Sequence, residues 1–269
     1  MNCIHATAIV ADGATIGEGV RIGPFCTVGA EVVLGARARL ISHVVLDGRT
    51  RIGEDAVLYP FCTVGMAPQD LKYRGEPTEC EVGAGTQLRE HVTIHRGTLT
   101  GSGVTRVGSD CLLMAVVHVA HDCTLGDGVV VANNVVMGGH VSIGDHAIIG
   151  GAAAIHQNVR IGRGAMIVGV SGVEADVIPW GSVVGNRARL VSLNLRWFKR
   201  RGYDRQQLLP LQAAFKLMFR DEGVFEDRVR EAREVFGDDP IVAEVINFID
   251  QRGKRGLIHA SVREDPRDA

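Results

Sequence analysis

Aromatic side chains are scarce in this 269-residue chain, at 5% of the residues, while glycine is abundant, with 34 residues. A core of large packed rings is excluded, and a turn-rich scaffold of small and aliphatic residues is favoured. No stretch approaches the roughly 18 uninterrupted apolar residues needed to cross a bilayer. The opening residues, MNCIHATAIV, lack the basic start and long apolar run of a secretion signal. A soluble, cytoplasmic protein is therefore expected. The formal net charge is only −2, so no excess of one sign points to nucleic acid or a membrane surface. The six cysteines include no CxxC pair, and a disulfide framework is not expected in such a chain. A prior of roughly 150 residues per domain suggests two domains.

What is present is a period of six. From Ile4 through Val10, Ile16 and Ile22 to Val64, every sixth residue is aliphatic. The series resumes at Val82, Leu88 and Ile94, shifts frame, and runs from Val107 to Val173. The following residue is often glycine, and the position four after the aliphatic one is small or β-branched, as at Ala14, Val20 and Cys26. Each unit thus sends one large and one small residue inward, and only stacking of units buries a continuous core. Cys26, Cys62, Cys80, Cys111 and Cys123 all occupy the small inward position and read as buried small hydrophobes.

Two segments break the period, near 66–81 and near 97–106, and insertions in a stacked-repeat fold become surface loops, often at a binding face. Residues 1–186 form the repeat region. Beyond it, 187–269 reads as a small helical domain, because RQQLLPLQAAFKLMF, VFEDRVREAREVF and PIVAEVINFIDQ space their apolar residues helically. Asp204 and Asp239 are expected N-caps, with Pro240 opening the last helix. The final residues, REDPRDA, read as a frayed tail.

Nine of the ten histidines lie in the repeat region, none in an inward column. Nothing local distinguishes His5, His43 and His146 from solvated surface residues. His121, His140 and His156 fall in units spaced 18 residues apart, hence on one face near an edge. With coils about 4.8 Å apart, His121 and His156 are separated by about 10 Å along the axis. That is too far for one zinc ion with bonds of about 2.0–2.1 Å in a single chain. A zinc hydratase of the γ-carbonic-anhydrase type, which uses such a scaffold and binds metal between subunits, stays open as the alternative. A neutral histidine suits proton removal from a hydroxyl. Gly138-Gly139 either turns a corner or offers N–H groups to an oxyanion. Lys199, Arg200 and Arg201 are either a solvated helix end or a diphosphate contact. Asp122 would face away from His121 on a strand and reaches it only if the chain turns a corner there.

Ten segments occur in order: PQDLKY (68–73), GEPT (75–78), TIHRGT (93–98), VGSDCLLM (107–114), HVAHDC (118–123), VANN (131–134), GGH (138–140), HQ (156–157), SGV (171–173) and NLRWFKRRG (194–202). Together they resemble the UDP-N-acetylglucosamine O-acyltransferases, which open lipid A synthesis. The resemblance covers essentially the whole chain; the QDLKY loop and the HVAHD segment are its most specific parts. It implies a left-handed parallel β-helix of hexapeptide repeats, with three units per 18-residue coil, followed by a C-terminal α-helical domain. It implies transfer of an (R)-3-hydroxyacyl chain from acyl carrier protein to the glucosamine 3-hydroxyl of UDP-N-acetylglucosamine, without cofactor or metal, by a homotrimer with sites between subunits.

On this resemblance His121 matches the general base and Gly139 the oxyanion donor. Asp70 and Lys72 match sugar-nucleotide and acyl-chain contacts, and His118, His140, His156 and Gln157 match cleft residues. Asn194 and Arg200 match nucleotide contacts. Gly169 matches the position that limits acyl length, and a glycine there implies a longer chain. Asn158, Arg196 and Trp197 depart from the usual pattern, near the acyl groove and the nucleotide end. The sister N-acyltransferases carry an extra uridine-binding domain before their repeats, whereas here repeats begin at Ile4.

Overall fold

The computed structural model describes residues 1–220 and 222–260; the expected frayed tail lies outside them. The repeat region is a parallel β-helix of three sheets with eleven, nine and eight strands. Most strands are two residues long, an outward residue followed by an inward aliphatic one, as in Arg39–Leu40 with its exposed and buried members. Strands 18 residues apart pair in register, for example Ile4 with Ile22 and Leu113 with Val131. Each coil therefore lays its aliphatic residue on the one before, and Leu40, Leu58, Leu88 and Leu113 are all buried. Full burial of one such side chain stabilises by about 1.5–3 kcal/mol, and the stack repeats that gain at every rung.

The small inward column behaves as its residue types demand. The five cysteines named above are buried, and burial pushes the thiols of Cys62, Cys80 and Cys123 up to about 12, so they stay protonated and inert.

The two breaks in the period lengthen two consecutive coils. Leu58 pairs with Leu88, and Leu88 with Leu113, intervals of 30 and 25 residues instead of 18. In both coils the extra residues leave from the same edge. The first set follows the strand Thr63–Met66 and the second follows Thr93–His95, both in the nine-stranded sheet. The next coil passes that edge at residues 120–123, between the strands His118–Val119 and Thr124–Leu125.

The last rung, Gly181–Val184, pairs antiparallel with Arg189–Leu193, which leads into helix α1 (Leu195–Arg200). Helices α2 (Leu209–Met218), α3 (Phe225–Phe236) and α4 (Pro240–Asp250) follow. Asp239 caps α4 as expected, its Oδ1 accepting the N–H groups of Ile241 and Val242. Asp204 caps neither α2 nor the 3-10 turn Gln206–Leu208, whose N-cap is Arg205; it makes a reciprocal pair of hydrogen bonds with Gln207 instead. Trp197 and Phe198 of α1 are buried against Trp180 at the end of the β-helix. After α4 the chain returns to the repeats, where Leu257 bridges to Asp176 and Ala260 to Leu190. No described helix is long and apolar enough to cross a membrane.

Candidate active site

The edge that carries both insertions also carries the histidines. Beyond the insertions its corners are four residues long, and the third residue of each adopts a left-handed conformation: φ is 60° at Asp122, 60° at His140 and 65° at Asn158. That conformation changes what adjacent residues can do. On a strand His121 and Asp122 would point apart; at this corner Nδ1 of His121 lies 2.8 Å from Oδ2 of Asp122. The Asp122 side chain is 1% exposed and that of His121 13%.

The second insertion builds the enclosure around Asp122. Thr98 donates twice, from its hydroxyl to Oδ2 at 2.6 Å and from its backbone N–H to Oδ1 at 3.1 Å. The Gly103 N–H donates to Oδ1 at 3.2 Å, and the Asp122 N–H donates to the hydroxyl of buried Thr105. A Cβ on Gly101 would collide with the carboxylate, so that residue has to be glycine. Burial alone would raise the Asp122 pKa. The hydrogen bonds from Thr98 and His121 outweigh it and hold the carboxyl below its ordinary value. An ionised Asp122 accepts the Nδ1 proton of His121, which leaves Nε2 as the free base.

Around this pair the rings are close. His140 meets His121 edge-on with centroids 5.1 Å apart, and its Nδ1 lies 3.9 Å from Asp122 Oδ2. Burial lowers the His140 pKa despite the pull of Asp122. His118 shares a proton with the Thr93 hydroxyl at 2.7 Å, and burial lowers its pKa too. The Cα of Gly139 faces His121: a Cβ there would lie 2.6 Å from Cε1 and 2.7 Å from Nε2. The Gly139 N–H donates to no acceptor among the described residues. His156 and Gln157 are exposed one coil further on, and Arg255 donates to the Gln157 carbonyl.

Ligand atoms of His121, Asp122 and His140 lie within 4.8 Å of one another, a closer grouping than the coil spacing of His121 and His156 suggested. The donor chemistry does not favour a metal. Both Asp122 oxygens already accept hydrogen bonds, and Nδ1 of His121 is bound to one of them.

Similarity to known proteins supplies the family. Residues 105–139 match the model of bacterial transferase hexapeptide repeats, and 176–258 match that of UDP-N-acetylglucosamine O-acyltransferase domain 2. Acyl-(acyl-carrier-protein)–UDP-N-acetylglucosamine O-acyltransferase of Azorhizobium caulinodans is 48% identical over 96% of this chain and 95% of its own. The enzyme of that name from Rickettsia prowazekii is 49% identical over 95% of this chain and 97% of its own. The crystal structure of UDP-N-acetylglucosamine O-acyltransferase from Moraxella catarrhalis superposes with a TM-score of 0.92, at 40% identity, over 95% of this chain and 99% of that one. The chain belongs to the UDP-N-acetylglucosamine O-acyltransferase family. It is an acyltransferase.

Within this acyltransferase the sequence-predicted residues divide among the three edges of the prism. His121, Gly139, His140, His156 and Gln157 share one edge, with His118 on the adjoining sheet. Asp70 joins them: its charge is felt at His140. Asp70 Oδ1 accepts the Lys72 N–H in a tight turn, and the turn is anchored by Tyr73, whose hydroxyl accepts from Arg96. Gly169 lies on a different edge, between the eleven- and nine-stranded sheets, beside Gly151. Asn194 lies at the third edge, where its Nδ2 donates to the Gly164 carbonyl and its Oδ1 caps α1. Arg200 is exposed in the last turn of that helix.

Three residues of the acyltransferase site were missed from sequence: Thr98, Arg96 and His95. All sit in TIHRGT. His95 is outside both inward columns, yet it is 7% exposed. The strand runs one residue longer there, and His95 pairs with Met66 after a bulge in place of turning the corner. The sequence signal was present, since His95 stands where the repeat often places glycine.

Proposed function

We propose that this acyltransferase moves an (R)-3-hydroxyacyl chain from acyl carrier protein to the glucosamine 3-hydroxyl of UDP-N-acetylglucosamine, the first step of lipid A biosynthesis. His121 is the general base. The observation that carries this reading is the enclosed Asp122, which holds His121 by Nδ1 and leaves Nε2 free beside Gly139. Nε2 takes the proton of the 3-hydroxyl as its oxygen attacks the thioester carbonyl. The Gly139 N–H receives the developing oxyanion. Collapse breaks the carbon–sulfur bond, and the proton on His121 passes to the leaving thiolate. Asp122 keeps the tautomer and stabilises the transient imidazolium.

His118, His140, His156, Gln157, Asp70 and Lys72 bind the sugar and acyl chain. Asn194 and Arg200 bind the nucleotide, with Arg200 near its phosphates. Gly169 lines the acyl groove. Because these groups lie on three edges, a homotrimer with each site between neighbours brings them together. Support comes from the exposed apolar strip of Val116, Val136 and Val170 near the edge of Gly169. The reaction is placed in the cytoplasm. Basic residues beside the cleft, Lys254 and Arg255 among them, meet the acidic carrier protein.

An acyl-transfer assay with UDP-N-acetylglucosamine and a series of hydroxyacyl carrier proteins tests the scheme. Activity is expected with the unaltered protein and not with His121→Ala. Full activity in the variant would overturn the mechanism, and loss of activity to chelators would favour a metal at His121, Asp122 and His140.

A further inference from the structure

Away from the histidine edge, a cavity of about 840 Å³ lies between α3, α4, the end of α2 and the returning segment 252–260. Its size is that of a small-molecule site. The lining combines two chemistries. Apolar side chains come from Phe219, Phe225, Val229, Ile249, Leu257 and Ile258. Six arginines, at 160, 220, 228, 230, 233 and 252, face three carboxylates, Asp176, Glu226 and Asp250.

Five of the arginines have carboxylate partners. Arg160 pairs with Asp176 at 2.7 Å, and Arg233 grips both oxygens of Asp250. Arg220, Arg230 and Arg252 pair with Glu231, Asp227 and Glu226. Arg228 is the exception. Its Nε and Nη1 are buried and have no hydrogen-bond acceptor among the described residues; its guanidinium carbon lies 5.7 Å from the Phe225 ring centroid. Guanidinium N–H groups drawn from water without an acceptor are costly, and a protein tolerates them where a ligand supplies the acceptor. The N-terminus of α3 has no side-chain cap and carries Glu226 and Asp227 in its first turn, where Arg252 and Arg230 pair with them.

We propose that this cavity binds an anion carrying an apolar body, of the class of medium-chain carboxylates and alkyl phosphates, with Arg228 as its principal partner. The anionic head is held by Arg228, and the chain lies along the apolar wall. This inference is independent of the acyl-transfer reading, since none of these residues belongs to the His121 site.

The test is calorimetric titration of the full chain with decanoate, decyl phosphate, decanol and inorganic phosphate. Decanoate and decyl phosphate are expected to bind at one site per chain that Arg228→Gln weakens at least about tenfold, the loss of one charge-assisted hydrogen bond. Decanol and inorganic phosphate, each lacking half of the chemistry, bind more weakly. With no ligand, Arg228→Gln is expected to unfold at a higher temperature than the unaltered chain, because it removes a partly buried charge that has no carboxylate partner among the described residues. Amphiphile binding that is unaffected by Arg228→Gln belongs elsewhere, for instance to an acyl groove, and overturns the proposal. Equal affinity for inorganic and decyl phosphate overturns the apolar part, and a lower unfolding temperature in the variant overturns the assignment of Arg228.

Discussion

His121 and Asp122 are neighbours in the chain and partners in space: the imidazole Nδ1 of one meets the carboxylate of the other at 2.8 Å. A regular strand forbids this contact. It exists because Asp122 takes a φ of 60°.

The pair should fail in graded fashion. His121→Ala removes the base, and a positioned base contributes about 10²–10⁴-fold. Asp122→Asn keeps the shape but not the charge, so kcat should fall by about 10²-fold with KM little changed. Steady-state kinetics of both variants measures this, and an Asp122→Asn enzyme with unaltered kcat would refute the dyad.

Gly139→Ala tests the opposite wall. Its methyl group would lie within about 2.7 Å of His121 Nε2, which displaces the base by tenths of an ångström. Activity should drop at least about tenfold while the unfolding temperature stays close to that of the parent.

Acid should act on the fold through His95. Burial, with His118 and His121 nearby, lowers its pKa to about 4. Its folded value lies below its unfolded value of about 6.5, so neutral His95 is fully compatible with the fold above that pH. Stability is lost as pH falls from about 6.5 through 4, by ~3 kcal/mol at most. His95→Phe should flatten that part of the stability–pH curve, read by thermal unfolding between pH 7 and pH 4.

Asp122 predicts loss at lower pH. Its pKa is lowered in the fold, so its stabilisation is present above the unfolded value of about 3.9 and disappears as pH falls through the lower folded value. Thr98→Val removes the 2.6 Å hydrogen bond. The acid transition of that variant should move to higher pH, and its activity should fall while His121 stays in place.

The core offers a control. Leu113 is fully buried in the aliphatic stack. Leu113→Ala should cost about 2–5 kcal/mol in denaturant unfolding.

The scaffold was legible because it rests on one repeated demand, an aliphatic residue every sixth position from Ile4 to Val173. Helices α2 to α4 were legible for a similar reason, as each buries one helical face. Helix α1 was not, since six residues around Trp197 and Phe198 are too few to show a period. The corner geometry was hidden for a different reason. Left-handed φ at Asp122 and His140 is shared by Phe25, Arg37 and Val116 at other corners. Stacking imposes that conformation whatever the residue, so residue type does not announce it. Thr98 was illegible as a partner of Asp122 because a separation of 24 positions closes up only when consecutive coils stack.

An array of stacked coils can be lengthened or shortened by whole turns, much as a wall changes height by courses of brick. Among the coils before Ile52, an added 18-residue turn would leave every rung with a neighbour and the His121 site untouched. Between Thr98 and Asp122 the same insertion would lift the lid one storey above the acid it covers. Length is therefore free in the first coils and fixed from Thr98 to Gln157, where successive coils bring Asp122, Gly139 and Gln157 to one edge. Those are the courses the acyltransferase cannot duplicate.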